Sequence, residues 1–173
     1  DYYLEALRKS PDDYRVNIAL GIRRVNQWRY EEAEQYLQKA ADKLQVKYFQ
    51  PKEGELFYYL ALAQKGQGKS EDAHNNFYRA TWYYEWFSPA YYQLALKESI
   101  RGNFEKALEC IKNAYSTNND DGGITVLYSA LLRKQGQKEE ALALVDKLLA
   151  KDPINFSALY ERELLQGDGS MDK

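Results

Sequence analysis

His74 is the only histidine in the chain and Cys110 the only cysteine. One of each cannot build a cluster of histidines and thiolates around a metal, and a serine–histidine–aspartate arrangement would rest on His74 alone. His74 stands beside Asn75 and Asn76 on a polar face, and a plain surface role fits it. Cys110 falls one helical turn before Ala114, on or beside a buried face, where a thiol packs and does not react. It can form no disulfide within the chain, and it leaves the redox compartment open. A third candidate, Gly66-Gln67-Gly68-Lys69-Ser70, has the composition of a phosphate loop without its spacing. The motif GxxxxGK[ST] puts four residues between its glycines, and here only Gln67 separates them. The segment also follows a helical pattern and not a strand, so it reads as a turn. These residues predict a non-enzymatic protein with no metal and no cofactor.

The elements around that turn explain it. Before it, Phe57, Leu60, Ala61 and Gln64 recur at helical spacing; after it, Ala73, Phe77 and Ala80 do the same. Small residues at these positions let two antiparallel helices approach closely. The unit then repeats. One constant step carries Ala73 to Ala107 and on to Ala141, Gly68 to Gly102 and Gly136, and Phe77 to Ile111 and Val145. The step back from Ala73 to Ala33 is longer, with Leu20-Gly21, Tyr30, Leu37 and Ala40 still in pattern. Six extra residues therefore follow Ala40, and they are expected to lengthen the second helix of that pair, since no Pro or Gly intervenes before Pro51. A fixed period of this size signals a helical solenoid whose pairs bury their apolar faces on their neighbours.

The pattern resembles the tetratricopeptide repeat (TPR) family. The residues that carry the resemblance are Leu20-Gly21, Tyr30, Ala33 and Ala40 in the first pair, then Phe57, Leu60-Ala61, Gly68, Ala73, Phe77 and Ala80 in the second. The third gives Tyr91, Leu94-Ala95, Gly102, Phe104, Ala107 and Ala114; the fourth, weaker, gives Gly136, Ala141 and Pro153, with Ser129 where Gly or Ala belongs. Pro11, Pro51 and Pro153 fall at the closing position, where the second and third pairs carry Glu85 and Asn119. The resemblance implies an all-α fold, a right-handed superhelical solenoid of antiparallel helix pairs. The pairs are read as residues 14–53, 54–87, 88–121 and 122–154. Residues 1–11 read as the end of a preceding repeat, 155–166 as a C-terminal capping helix and 167–173 as a flexible polar tail. The opening in mid-helix, with Tyr3, Ala6 and Pro11 fitting an earlier repeat, is the pattern expected of a fragment of a longer protein.

Net charge is −2 and 45% of the residues are hydrophobic, which suits a soluble helical protein and makes a cytoplasmic setting the favoured expectation. No run approaches the roughly 20 apolar residues of a membrane helix. Helical RNA-reading repeats have a similar period, but nucleic acid usually demands a basic stripe, and the near-neutral charge argues against it. Along the chain, Asp12 and Asp13 are placed to cap a helix, and Ser70 to cap the second helix of the second pair. That helix is expected to carry an unusual run of aromatics from Phe77 to Phe87. Phe77, Ala80, Thr81 and Tyr84 can share its core-facing stripe; Tyr78, Trp82, Tyr83 and Trp86 cannot all join them, and form a possible second interface.

By the resemblance, the first helix of each pair lines a concave groove that holds a peptide or extended segment. Ile18 and Ile22, Tyr58 and Leu62, Tyr92 and Leu96, and Val126 with Ala130 would face into it, with Arg15, Glu55 and Lys65 at its edges. Tyr58 and Tyr92, one repeat apart, would be neighbours along it. The family's charged clamp for a chaperone carboxylate tail is absent: Ile18, Ile22, Tyr59, Pro89 and Gln93 stand at its positions. An aromatic–apolar groove suits an apolar or helical segment instead. The expected function is a protein-interaction scaffold whose partner is a protein, a peptide or another domain of the same chain. The alternative is an accessory repeat region of a larger bacterial protein, such as a carbohydrate-handling one, with its active site elsewhere.

Overall fold

The computed structural model describes residues 2–44 and 53–167. Regular structure among them is entirely helical: α1 (Tyr2–Lys9), α2 (Tyr14–Asn26), α3 (Tyr30–Leu44), α4 (Glu53–Gly66), α5 (Ser70–Ala80), α6 (Tyr84–Ile100), α7 (Phe104–Thr117), α8 (Gly122–Lys134), α9 (Lys138–Lys151) and α10 (Phe156–Gln166). The fold is an all-α solenoid of antiparallel helix pairs. It divides into two compact units, residues 1–90 and 91–173, the division falling inside α6.

In the first unit α2 pairs with α3 and α4 with α5, α3 joins the two pairs, and α1 lies on α2. Ile18, Ala33, Leu37, Ala40, Leu56 and Leu60 are buried together. The helices approach so closely that a Cβ added at Gly21 would fall 2.4 Å from Leu37 Cγ. A polar network ties the two pairs. Glu34 of α3 accepts hydrogen bonds from Gln64 Nε2 (3.2 Å), Gln67 Nε2 (2.8 Å) and Lys69 Nζ (2.5 Å). In the second unit α8 packs on α7, α9 and α10. Ala107, Ile111, Leu132, Ala141 and Val145 are fully buried there. Arg133 of α8 and Glu161 of α10 form a two-pronged, nearly buried ion pair, Nε to Oε1 at 2.9 Å and the second nitrogen to Oε2 at 3.3 Å.

Helix starts follow two rules. The first helices α2 and α8, and the capping helix α10, are capped by Asp13, Asp121 and Asn155, whose side-chain oxygens accept the Arg15, Ile124 and Ala158 amides. The second helices α5, α7 and α9 have Lys69, Asn103 and Gln137 at this position and no side-chain cap bond. Ser70, expected as a cap, is instead the first residue inside α5. Acidic residues in the first turn, among them Glu71, Asp72, Glu105 and Glu139, complement the helix dipole there.

The aromatic run from Phe77 to Phe87 is not one helix. α5 stops at Ala80, residues 81–83 form a turn, and α6 begins at Tyr84, ahead of Pro89. The Thr81 hydroxyl donates to the Tyr78 carbonyl at 2.7 Å and the Tyr83 amide to the Ala80 carbonyl at 3.1 Å, which closes the turn without glycine. Thr81 is buried as expected, but Tyr84 is 82% exposed and leaves the core stripe. The expected lengthening of α3 and the closing Pro51 fall in residues 45–52, outside the described residues, as does most of the tail.

The inter-helix turns share one backbone device. Gly68, Gly102 and Gly136 have φ of +77°, +79° and +79°, the left-handed region that glycine enters without cost. Trp28 occupies the same place in the first pair, one repeat before Gly68, at φ 62°. A left-handed conformation costs an L-residue about 1–2 kcal/mol, and the Trp28 ring recovers part of this by an edge contact with Tyr30 at 6.4 Å.

Trp28→Ala keeps the strained backbone and loses the ring, whereas Trp28→Gly relieves the strain. The glycine variant is expected to be more stable than the alanine variant by about 1 kcal/mol in urea denaturation. Equal stabilities would mean that the turn stores no strain. A second expectation concerns acid. Burial alone would raise the Glu34 carboxyl, but the bonds from Lys69, Gln67 and Gln64 outweigh it and hold its pKa below the usual 4.5. A group depressed in the native state stabilises above its unfolded pKa and loses that contribution as pH falls through the native value. Glu34→Gln should therefore lower stability at neutral pH and flatten the decline measured below pH 4.5.

Candidate functional site

The residues expected to line a groove sit on α2 and α4 in the first unit. Ile18 is buried and Ile22 packs against the same cluster. Leu62 is half-buried. Tyr58 is held tightly. Its ring meets Tyr59 at 5.7 Å, Phe77 at 5.6 Å and Trp86 at 4.9 Å, the last tilted by 35°. Trp86 also meets Tyr59 edge-on at 5.7 Å. Gly54 makes room for this assembly, since a Cβ there would lie 2.6 Å from Tyr83 Cβ and 2.7 Å from Trp86 Cδ1. Trp86 and Tyr83 thus pack with the groove-side aromatics, whereas Tyr78 and Trp82 stay 51% and 72% exposed.

The polar edge residues differ in their freedom. Arg15 is folded back on its own cap, its guanidinium donating to Asp13 at 3.1 and 3.3 Å. That side-chain bond holds the Asp13 carboxyl below the ordinary range. Glu55 is half-buried; burial first, and the Glu55 charge second, push the Tyr59 phenol up. Lys65 is exposed as a residue, yet desolvation lowers its pKa.

In the second unit Tyr92, Leu96, Val126 and Ala130 are all half-buried on α6 and α8. Tyr92 and Val126 pack against the core cluster. The Tyr92 hydroxyl lies over the start of α8, 3.4 Å from where a Cβ on Gly123 would stand. Burial, and then the Asp121 charge, raise its pKa, so it stays a neutral hydrogen-bonding group. A cavity of about 390 Å³ opens elsewhere in this unit, at the start of α7, lined by Gly102, Asn103, Phe104, Glu105, Lys106 and Gln135. It gathers none of the expected site residues.

The chemistry-bearing residues are placed as follows. His74 is half-buried on α5. Cys110 is half-buried, and desolvation with the Glu109 and Glu98 charges pushes its thiol up to about 11, so the thiolate is scarce at neutral pH. No cluster of three or more metal-ligating side chains occurs among the described residues. Gly66–Ser70 is the end of α4, a turn and the start of α5. Sequence reasoning missed Trp28; the signal was available in the long step back from Gly68, the same one that joins Ala73 to Ala33.

Comparison with known proteins agrees with the helix pattern. Residues 100–161 match the tetratricopeptide repeat family. The fold is similar to the crystal structure of MamA, with TM-score 0.73 and 20% identity over 87% of this chain and 85% of that one. It is similar to YrrB, a TPR protein with an unusual peptide-binding site, with TM-score 0.70 and 21% identity over 94% and 81%. PilF of Pseudomonas aeruginosa gives TM-score 0.76 and 20% identity over 91% and 69%. At these identities the likeness is one of fold.

The Tyr58 contacts predict that Tyr58→Ala lowers stability by about 2–3 kcal/mol, the cost of removing a packed aromatic side chain from a partly buried site. It should also shift Trp86 emission to the red as that ring gains water. An unchanged stability in Tyr58→Ala would show that the ring is not part of the packing.

Proposed function

We propose that the chain, whose fold is a helical solenoid and whose residues 100–161 match the tetratricopeptide repeat family, is a non-enzymatic interaction module that binds an apolar, helix-forming segment of a partner on its first helices. The fold is that of protein- and peptide-binding scaffolds. The observation that carries the finer reading is that the first helices of each unit carry half-buried apolar and aromatic side chains at positions equivalent in sequence: Tyr58 and Leu62 in one unit, and Tyr92, Leu96 and Val126 in the other. Side chains held in place by their own packing lose little freedom on binding, so more of the contact energy appears as affinity. Ile18, Tyr59 and Gln93, where a carboxylate clamp would need cations and amides, favour apolar contacts over capture of an acidic tail.

Leu62 and Leu96 are the residues to vary, because both are only half-buried on first helices. A Leu62→Asp, Leu96→Asp double variant, shown by circular dichroism to keep its helix content, should lose a protein that the wild-type chain captures from its source lysate. In titrations with that protein, affinity should drop by at least about tenfold, the loss expected of a central apolar contact. Equal capture by the double variant would remove the first helices from the reading.

A further inference from the structure

The face of α5 turned away from the core departs from the polar surface that a packed helix usually presents. Ala73, Phe77 and Ala80 are buried on one side of the helix. On the opposite side Glu71, Asn75 and Tyr78 recur at helical spacing and are exposed. Trp82 continues that stripe past the helix end and meets Tyr78 edge-on at 6.4 Å. Tyr84 follows at the start of α6. Tyr78, Trp82 and Tyr84 are 51%, 72% and 82% exposed. Large aromatics left in water at this density mark a contact surface.

Between residues 70 and 87 the exposed charges have one sign. The exposed charged residues between 70 and 87 are Glu71, Asp72 and Glu85. Arg79, the arginine of this stretch, is drawn inward, its guanidinium 3.6 Å from the centre of the Phe57 ring. Lys69, at the foot of α5, is held by Glu34. Exposed tryptophan and tyrosine faces attract cations through their ring quadrupoles, and carboxylates beside them add to the attraction. A second copy of the chain is the poorer occupant. A twofold contact sets a patch against itself, which would place the Glu71, Asp72 and Glu85 carboxylates against one another. Acidic lipid surfaces and nucleic acid are repelled for the same reason.

We propose that Tyr78, Trp82 and Tyr84, with Asp72 and Glu85, form a second docking site, separate from the first helices, for a basic segment of another protein in which arginine or lysine alternates with apolar residues. The aromatic rings take the cation faces and apolar side chains, and the carboxylates set the sign of the charge. The partner gains ring contact on rigid anchors, while the acidic rim speeds its approach at low salt.

The test titrates the full chain with a short peptide of alternating arginine and leucine, against its glutamate–leucine counterpart. Trp82→Ala and Glu85→Lys change exposed side chains, so the fold should survive both. Wild type should bind the basic peptide saturably and more weakly as salt rises. Each variant should weaken binding about tenfold, the effect of one anchor residue or of reversing one close charge. Backbone amide shifts on binding should map to residues around Tyr78–Glu85. The proposal is overturned by no binding up to about 1 mM peptide, by variants that bind like wild type, or by equal binding of the glutamate peptide. A loss in Leu62→Asp alone would also overturn it, by moving the peptide to the first helices. So would a wild-type dimer in sedimentation that Trp82→Ala dissolves, since the patch would then be covered by a second copy.

Discussion

The close approach of two helices over small side chains is the constraint from which the rest follows. Ala33, Ala73, Ala107 and Ala141 are buried at the same place in the four pairs, at 0–4% exposure. Opposite them the chain offers only Gly21, Ala61, Ala95 and Ser129. The Ser129 hydroxyl reaches the Ala141 carbonyl at 3.1 Å, which measures how near the two helices come. Helices this close have little room for large side chains between them. The large residues are therefore displaced to the flanks, where they either meet the next pair or remain half-exposed. The core between pairs and the half-buried side chains of the first helices are thus two outcomes of one packing rule, and stability is built by nearest neighbours.

What was legible in the sequence was whatever repeats. The alanines, the turn glycines and the apolar stripes of α4, α5 and α7 mark the repeat, but the border expected between residues 87 and 88 falls inside α6, which begins at Tyr84. Features that depend on one contact were not legible. Trp28 was hidden because a bulky aromatic is the least expected residue at φ 62°, even though its place was set by the glycine series. The break at residues 81–83 was hidden because neither glycine nor proline marks it. The turn is closed by a threonine hydroxyl and backbone bonds, and the first proline, Pro89, lies inside the next helix. The expected groove residues could be placed on their helices by register alone, but the grip of Phe77 and Trp86 on Tyr58 could not, because it needs the position of α6 relative to α4.

Buried polar groups add a second layer to the repeat. Gln64 and Glu98 hold equivalent positions and are both buried, at 5% and 7% exposure. Gln64 accepts from Asn76 and donates to Glu34; Glu98 accepts from Asn103 at 2.7 Å. The next equivalent, Leu132, is fully buried and apolar. A polar group in such a place costs stability unless its partner is in register, so each satisfied bond penalises a slipped arrangement of the helices. Where the position turns apolar, a different tie takes over beside it: Arg133, the residue after Leu132, forms the ion pair with Glu161 of the capping helix. Each unit is therefore fastened by a polar contact from a pair to the element that follows it, Glu34 with Lys69 of the next pair in one and Arg133 with Glu161 of the capping helix in the other.

The aromatic residues show the same rule acting on surface chemistry. Phe77, Tyr58, Tyr59 and Trp86 gather because the turn at residues 81–83 brings Trp86, at the start of α6, to the rings of α4. That turn also carries Trp82 and Tyr84 outward, since neighbouring positions of a tight turn cannot all face the core. One local backbone choice thus divides the aromatic residues into those that consolidate the packing and those left in water. The buried set cannot be altered without loosening α4 and α6, whereas the exposed set carries no such burden. Large, rigid aromatic residues left in water carry a solvation cost. Their place in a stretch whose exposed charges are Glu71, Asp72 and Glu85 fits contact with a cationic partner better than it fits packing.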